Sequence, residues 1–105
     1  MSWEESRSMA GYVLVPEARS DLREILSYIA EDSIDSALRV LDRFVEIFDL
    51  LAANPEAGHY RDDLTSRPVR FFPVYSYLVV YLDGTSPVQI VRVLGGAQDV
   101  ETILK

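Results

Sequence analysis

The sequence predicts an α+β fold in the order β-α-α-β-β-β, an antiparallel helical hairpin packed on a mainly antiparallel sheet. Three observations carry this. The first half holds two long runs whose apolar residues recur every three and four positions, the period of an amphipathic helix. Little more than Asp32-Ser33 separates the two runs, so they must fold back on one another. After Asn54-Pro55 and a polar stretch, the chain turns to short runs rich in valine, tyrosine and phenylalanine, the residues of strands.

Taken in order, residues 1–9 read as a flexible leader and 10–105 as a single domain, with Met9 an alternative start to Met1 and Trp3 an unanchored aromatic. Tyr12 to Val15 is a short β-rich run that ends at Pro16. Proline suits the first turn of a helix, where a missing N–H costs nothing. Helix one runs from Pro16 to Glu31 on a stripe of Ala18, Leu22, Ile25, Leu26 and Ile29. Either Ser33 or Asp35 caps the second helix. Helix two runs from Ile34 to Ala53 on a stripe that includes Ile34, Leu38, Leu41, Phe44, Phe48 and Leu51, and Asn54-Pro55 stops it. Asp35 and Arg39 are spaced as a helical ion pair.

Residues 56–68 form a polar loop. Strands follow at Val69 to Val74, Tyr77 to Leu82 and Val88 to Leu94, the last two joined through Asp83-Gly84. Pro73 cannot donate to a ladder, so its strand lies at an edge or carries a bulge. Leu41, Phe44 and Phe48 are expected to face strand residues such as Val80 and Val91. The tail from Asp99 to Lys105 has room for one helical turn, with Val100, Ile103 and Leu104 folding back, and its removal is expected to leave the domain folded.

Composition narrows the function. A chain of 105 residues, 49% hydrophobic and 26% charged, suits one globular core. There is no cysteine, hence no disulfide and no thiolate metal site, and nothing points to an oxidising compartment; the expected location is the cytoplasm. No apolar run is long enough to span a membrane. The net charge of -7 opposes direct DNA binding by this chain alone. That charge is uneven. From Glu17 to Glu56 ten acids face four arginines, net -6, whereas from Ala57 to Gln98 four arginines face three acids, net +1.

Chemistry is sparse. His59, the one histidine, sits beside Gly58 and reads as an exposed loop residue; no zinc-ligand spacing surrounds it. No serine lies in a nucleophile elbow, and Gly95-Gly96 lacks the frame of a phosphate loop, so no cofactor is implied. Asp62-Asp63 reads as a solvated loop pair. Metal-free ribonuclease chemistry would need several cationic and proton-transfer groups around one phosphate. His59, Arg61, Arg70 and Tyr77, with Arg92, are the candidates. The simpler reading makes the strand arginines solvated and the tyrosines sheet packing.

An ordered set of motifs carries a resemblance. Tyr12-Val-Leu-Val-Pro16-Glu-Ala18 is followed by Asp21-Leu22, Ile25 and Tyr28-Ile29-Ala30, then Phe44, Leu51 and Asn54-Pro55-Glu56-Ala57-Gly58. Arg61, Asp63-Leu64, Arg70, Phe72-Pro73-Val74 and Tyr77-Leu78-Val79-Val80-Tyr81 come next, and Ile90-Val91-Arg92-Val93-Leu94-Gly95-Gly96-Ala97 closes the set. This sequence resembles the RelE/ParE superfamily of bacterial toxin–antitoxin toxins, and is closer to the ParE branch. Relatives often carry histidine where this chain has Gly95, arginine where it has Gln98, and glycine in the turn held here by Tyr75-Ser76.

The resemblance implies a non-catalytic toxin that inhibits DNA gyrase and is neutralised by a cognate antitoxin. Two alternatives stay open: a RelE-like ribosome-dependent mRNA endoribonuclease, and a decayed module that only binds its antitoxin. Under the first reading the target-binding surface is expected at Arg92, Gly95, Gly96, Gln98 and Asp99. That end is less acidic, and its glycines allow close backbone approach. The antitoxin is expected to lay a disordered segment across a groove formed by the helices and the sheet, with its basic residues near the acidic helices.

Overall fold

A computed structural model describes residues 11–95 and 98–104. The expected leader and Gly96 lie outside these residues. The elements are β1 (Tyr12–Leu14), α1 (Pro16–Asp32), α2 (Ile34–Ala53), β2 (Val69–Val74), β3 (Tyr77–Leu82), β4 (Val88–Gly95) and a short α3 (Val100–Ile103). The predicted order is present, and the sheet runs β1-β4-β3-β2. β2, β3 and β4 are antiparallel neighbours, while β1 lies parallel to β4, Tyr12 opposite Val88 and Leu14 opposite Ile90.

Local chemistry sets the helix ends. Pro16 opens α1. Ser33 alone links the helices. Its N–H donates to the Ile29 carbonyl at 3.0 Å, closing α1, and its Oγ accepts from Ser36 N at 3.1 Å, capping α2. Of the two caps the sequence offers, Ser33 is the one used. Arg39 donates to Ser36 Oγ at 3.2 Å, not to Asp35 as its spacing suggested. Asn54 closes α2 on the Leu50 carbonyl at 2.8 Å.

The edge of the sheet at β2 is protected. Phe71 exchanges backbone hydrogen bonds of 2.8 and 2.9 Å with His59, and Pro73 presents no donor. Gly58 lies beneath this loop, where an added Cβ would sit 2.5 Å from the Tyr81 hydroxyl and 2.9 Å from the Phe71 carbonyl. Only glycine fits there. The Tyr81 hydroxyl accepts from Gly58 N at 2.8 Å and donates to the Pro55 carbonyl at 2.7 Å, pinning the loop to the sheet. The β2–β3 turn places Tyr75 at φ 56°, a left-handed position where glycine is favoured.

The sheet is covered on both faces. On one, α1 and α2 supply Leu22, Phe44, Phe48 and Leu51 against Val79, Tyr81, Ile90 and Val93. Phe44 and Phe48 stack at 6.1 Å, and Tyr12 meets Phe48 at 5.3 Å. On the other face, Val69, Phe71, Val80 and Leu94 are closed by Val100 and Leu104 of the tail, with Val91 packed alongside.

One expectation is corrected here. Val80 and Val91 face the tail and not the helices, because neighbours along a strand point to opposite faces and a one-residue error exchanges them. The tail forms the predicted turn, and Val100 and Leu104 are buried, so its removal costs stability.

Candidate partner-binding surfaces

Arg92 on β4 is not a solvated strand residue. Its Nε donates to Asp21 Oδ2 at 2.7 Å and its Nη2 to Asp21 Oδ1 at 2.9 Å, a two-pronged pair to α1. Val93 N donates to the same Asp21 Oδ2 at 2.9 Å. The hydrogen bond to Asp21 raises the Arg92 pKa above its ordinary value, and Glu17 and Glu24 add to the effect.

Past Arg92 the chain is held by its own polar groups. Gly95 N donates to Gln98 Oε1 at 2.5 Å, and Gln98 N returns a bond of 3.1 Å to the Gly95 carbonyl. Asp99 then caps α3, accepting from Thr102 N at 3.3 Å and Thr102 Oγ1 at 2.7 Å. The Thr102 hydroxyl, then its backbone N–H, hold the Asp99 carboxyl below the ordinary value.

Gln98 and Asp99 line a cleft of about 320 Å³ with Arg61, Leu64, Leu78, Val100 and Glu101. Here the structure joins residues that the sequence assigned to two different readings. Arg61 crosses to Asp63 through Nη2 at 2.7 Å and Nε at 2.9 Å; that hydrogen bond raises the Arg61 pKa and lowers that of Asp63. The lining combines apolar Leu64, Leu78 and Val100 with charge of both signs. It offers shape and polar contacts and no obvious nucleophile.

The remaining ribonuclease candidates lie along β2 and β3, with Tyr77 set apart from Arg70. Arg70 donates to Asp83 Oδ1 at 2.8 Å and to the Gly58 carbonyl at 3.0 Å, and its guanidinium lies 4.4 Å from the centre of the Tyr60 ring. Tyr60 also donates a hydrogen bond to Asp83. That bond is the main cause that lowers the Asp83 pKa and raises that of Tyr60. Tyr60 and Asp83 escaped the sequence reading, which had no means of placing residue 60 beside residue 83. His59 is engaged through its backbone in the Phe71 bridge. Tyr77 packs its ring 5.8 Å from Phe44. Arg70 pairs with Tyr81, so Tyr77 lies four residues further along β3, roughly 13 Å away.

A second surface lies on the helices. Leu26, Ser27, Ala30, Ile34, Ala37, Leu38 and Leu41 line an apolar groove of about 280 Å³ between α1 and α2. Ile34 is 69% exposed and Leu38 55%. Both fit the stripe of α2 by spacing, yet most of the buried residues of this helix lie from Phe44 onward. Among the described residues, no group of three His, Asp or Glu side chains is placed to hold a metal ion, and no helix is long and apolar enough to cross a membrane.

Comparison with known proteins bears on this architecture. The family model described as "ParE toxin of type II toxin-antitoxin system, parDE" matches residues 12–100. The solved structure "Chromosomal ParDE TA system from P. aeruginosa" superposes with a TM-score of 0.67 at 19% identity, covering 81% of this chain and 94% of that one. At that identity the likeness is one of fold. No curated protein matches the chain.

Proposed function

The chain belongs to the ParE toxin family of type II toxin–antitoxin systems, and on that footing we propose that it acts by binding, inhibiting DNA gyrase in the cytoplasm until a cognate antitoxin neutralises it. The observation that favours binding over RNA cleavage is the state of the arginines. Arg61, Arg70 and Arg92 are each tied to a carboxylate, and Tyr77 stands apart from Arg70. A phosphate-cleaving site needs such groups turned toward one point. Gyrase as the target follows from the family, not from any geometry in this chain.

The target-binding end in this reading is the close of β4 and the cleft beside it, with Gly95, Gln98 and Asp99 presenting backbone and polar groups and Arg61 also lining the cleft. The antitoxin suits the groove between α1 and α2. Its apolar lining fits an amphipathic segment, and the net charge of -6 from Glu17 to Glu56 favours basic flanks on that segment. The same charge makes a second copy of this chain a poor occupant.

Two assays on the purified protein test the proposal. Inhibition of gyrase supercoiling, relieved by the antitoxin, with ribosome-bound mRNA left intact, is the expected result. Codon-specific mRNA cleavage in a purified translation system without any effect on gyrase would overturn it. Inactivity in both with tight antitoxin binding would leave only an antitoxin-binding module.

A further inference from the structure

β1 accompanies β4 only as far as Ile90, whose carbonyl accepts from Val15 N at 3.1 Å. Further on, among the described residues, no strand lies on that side of β4. Outward backbone donors there need an acceptor from elsewhere. Val93 N takes the Asp21 carboxylate and Gly95 N takes Gln98 Oε1. Asp21 thus stands in for the missing strand while also receiving both prongs of Arg92. Its side chain is 13% exposed and that of Arg92 28%.

This arrangement bears on what Arg92 does. A partner that gripped the Arg92 fork would have to break the pair and leave a largely buried carboxylate uncompensated, which is strongly unfavourable. Glu17 and Glu24 also draw the guanidinium toward α1. The pair joins residues 71 apart in sequence, and so fixes the end of the sheet to the first turns of the helical hairpin.

We propose that Asp21 is the positioning residue of the target-binding end, and that Arg92 works through it, from behind the surface, to hold Gly95, Gln98 and Asp99 in one geometry. The inference rests on the gyrase reading for its activity readout, but not for its structural one. Asp21→Ala, Arg92→Ala and the double variant are compared at a temperature where each is folded. If the two residues act as one unit, all three weaken supercoiling inhibition alike, by about 10-fold, with no further loss in the double variant. Antitoxin affinity stays unchanged, since neither residue lines the α1–α2 groove. Asp21→Asn, which keeps an acceptor for Val93 N but loses the charge, falls between wild type and Asp21→Ala. Amide exchange at Val93 and Gly95 speeds up in Asp21→Ala. Losses that multiply in the double variant, or full inhibition by Asp21→Ala, would overturn the proposal and make Arg92 a direct contact. Should the wild-type protein leave gyrase untouched, the functional reading falls and exchange decides: faster exchange at Gly95 sustains the positioning role, and unchanged exchange removes it.

Discussion

The two faces of the sheet are covered by very different amounts of protein. On one, 37 residues of paired helix bring Phe44, Phe48, Leu22 and Leu51 onto the strands. On the other, a four-residue helix and one flanking leucine do the same task over Val69, Phe71, Val80 and Leu94. A helix of one turn has no stability of its own. The thinly covered face therefore depends on Val100 and Leu104 staying docked, and it lies beside the cleft assigned to the target. The heavily covered face carries the groove assigned to the antitoxin. A thickly covered side and a thinly covered one thus share a single sheet.

Three experiments probe this asymmetry. Phe44→Ala deletes a fully buried ring from the helix side and is expected to cost about 3–5 kcal/mol in a urea titration. A loss below about 1 kcal/mol would mean that α2 is not the main cover of that face. Ending the chain at Gln98 removes Val100 and Leu104 from the opposite face. The expected loss is about 3 kcal/mol, the low end of the scale for two buried aliphatic side chains. Far-UV circular dichroism should stay native while a hydrophobic dye gains fluorescence. Loss of all helical signal would show that the two faces form one cooperative unit.

The smallest effect concerns pH. The Tyr60 hydrogen bond, then the one from Arg70, lower the Asp83 pKa in the folded protein. A carboxyl lowered on folding contributes stability above its unfolded value, about 4, and that contribution is lost as pH falls through the lower, folded value. The thermal midpoint should therefore fall on acidification below about pH 4. In Asp83→Asn the drop should be smaller, and a drop of unchanged size would show that the Arg70–Asp83 pair contributes nothing.

Much of the fold was legible because its punctuation is local. Pro16, Ser33, Asn54-Pro55 and Asp83-Gly84 mark element ends through backbone chemistry that acts within a few residues. The sides of β3 were not legible. Tyr77-Leu-Val-Val-Tyr-Leu82 is apolar at every position, as a strand covered on both faces must be, so alternation gives no sign of which residues meet the helices. The register shift at Val80/Tyr81 against β4 adds to the ambiguity. Of the expected target surface, Gln98 and Asp99 were found lining a cleft, whereas the bond from Arg92 to Asp21 spans a separation that no local pattern encodes. Tyr60 with Asp83 escaped for the same reason.

The single-residue link at Ser33 sets the phase of one helix against the other. Its φ of −156° and ψ of 114° are the only backbone torsions between the end of α1 and the start of α2. One residue added at the start of α2 would turn the rest of the helix by about 100° about its own axis, setting Arg43 where Phe44 meets the strands and Ile47 where Phe48 does. The hairpin thus behaves as a gear with fixed teeth, and its length cannot vary at Ser33.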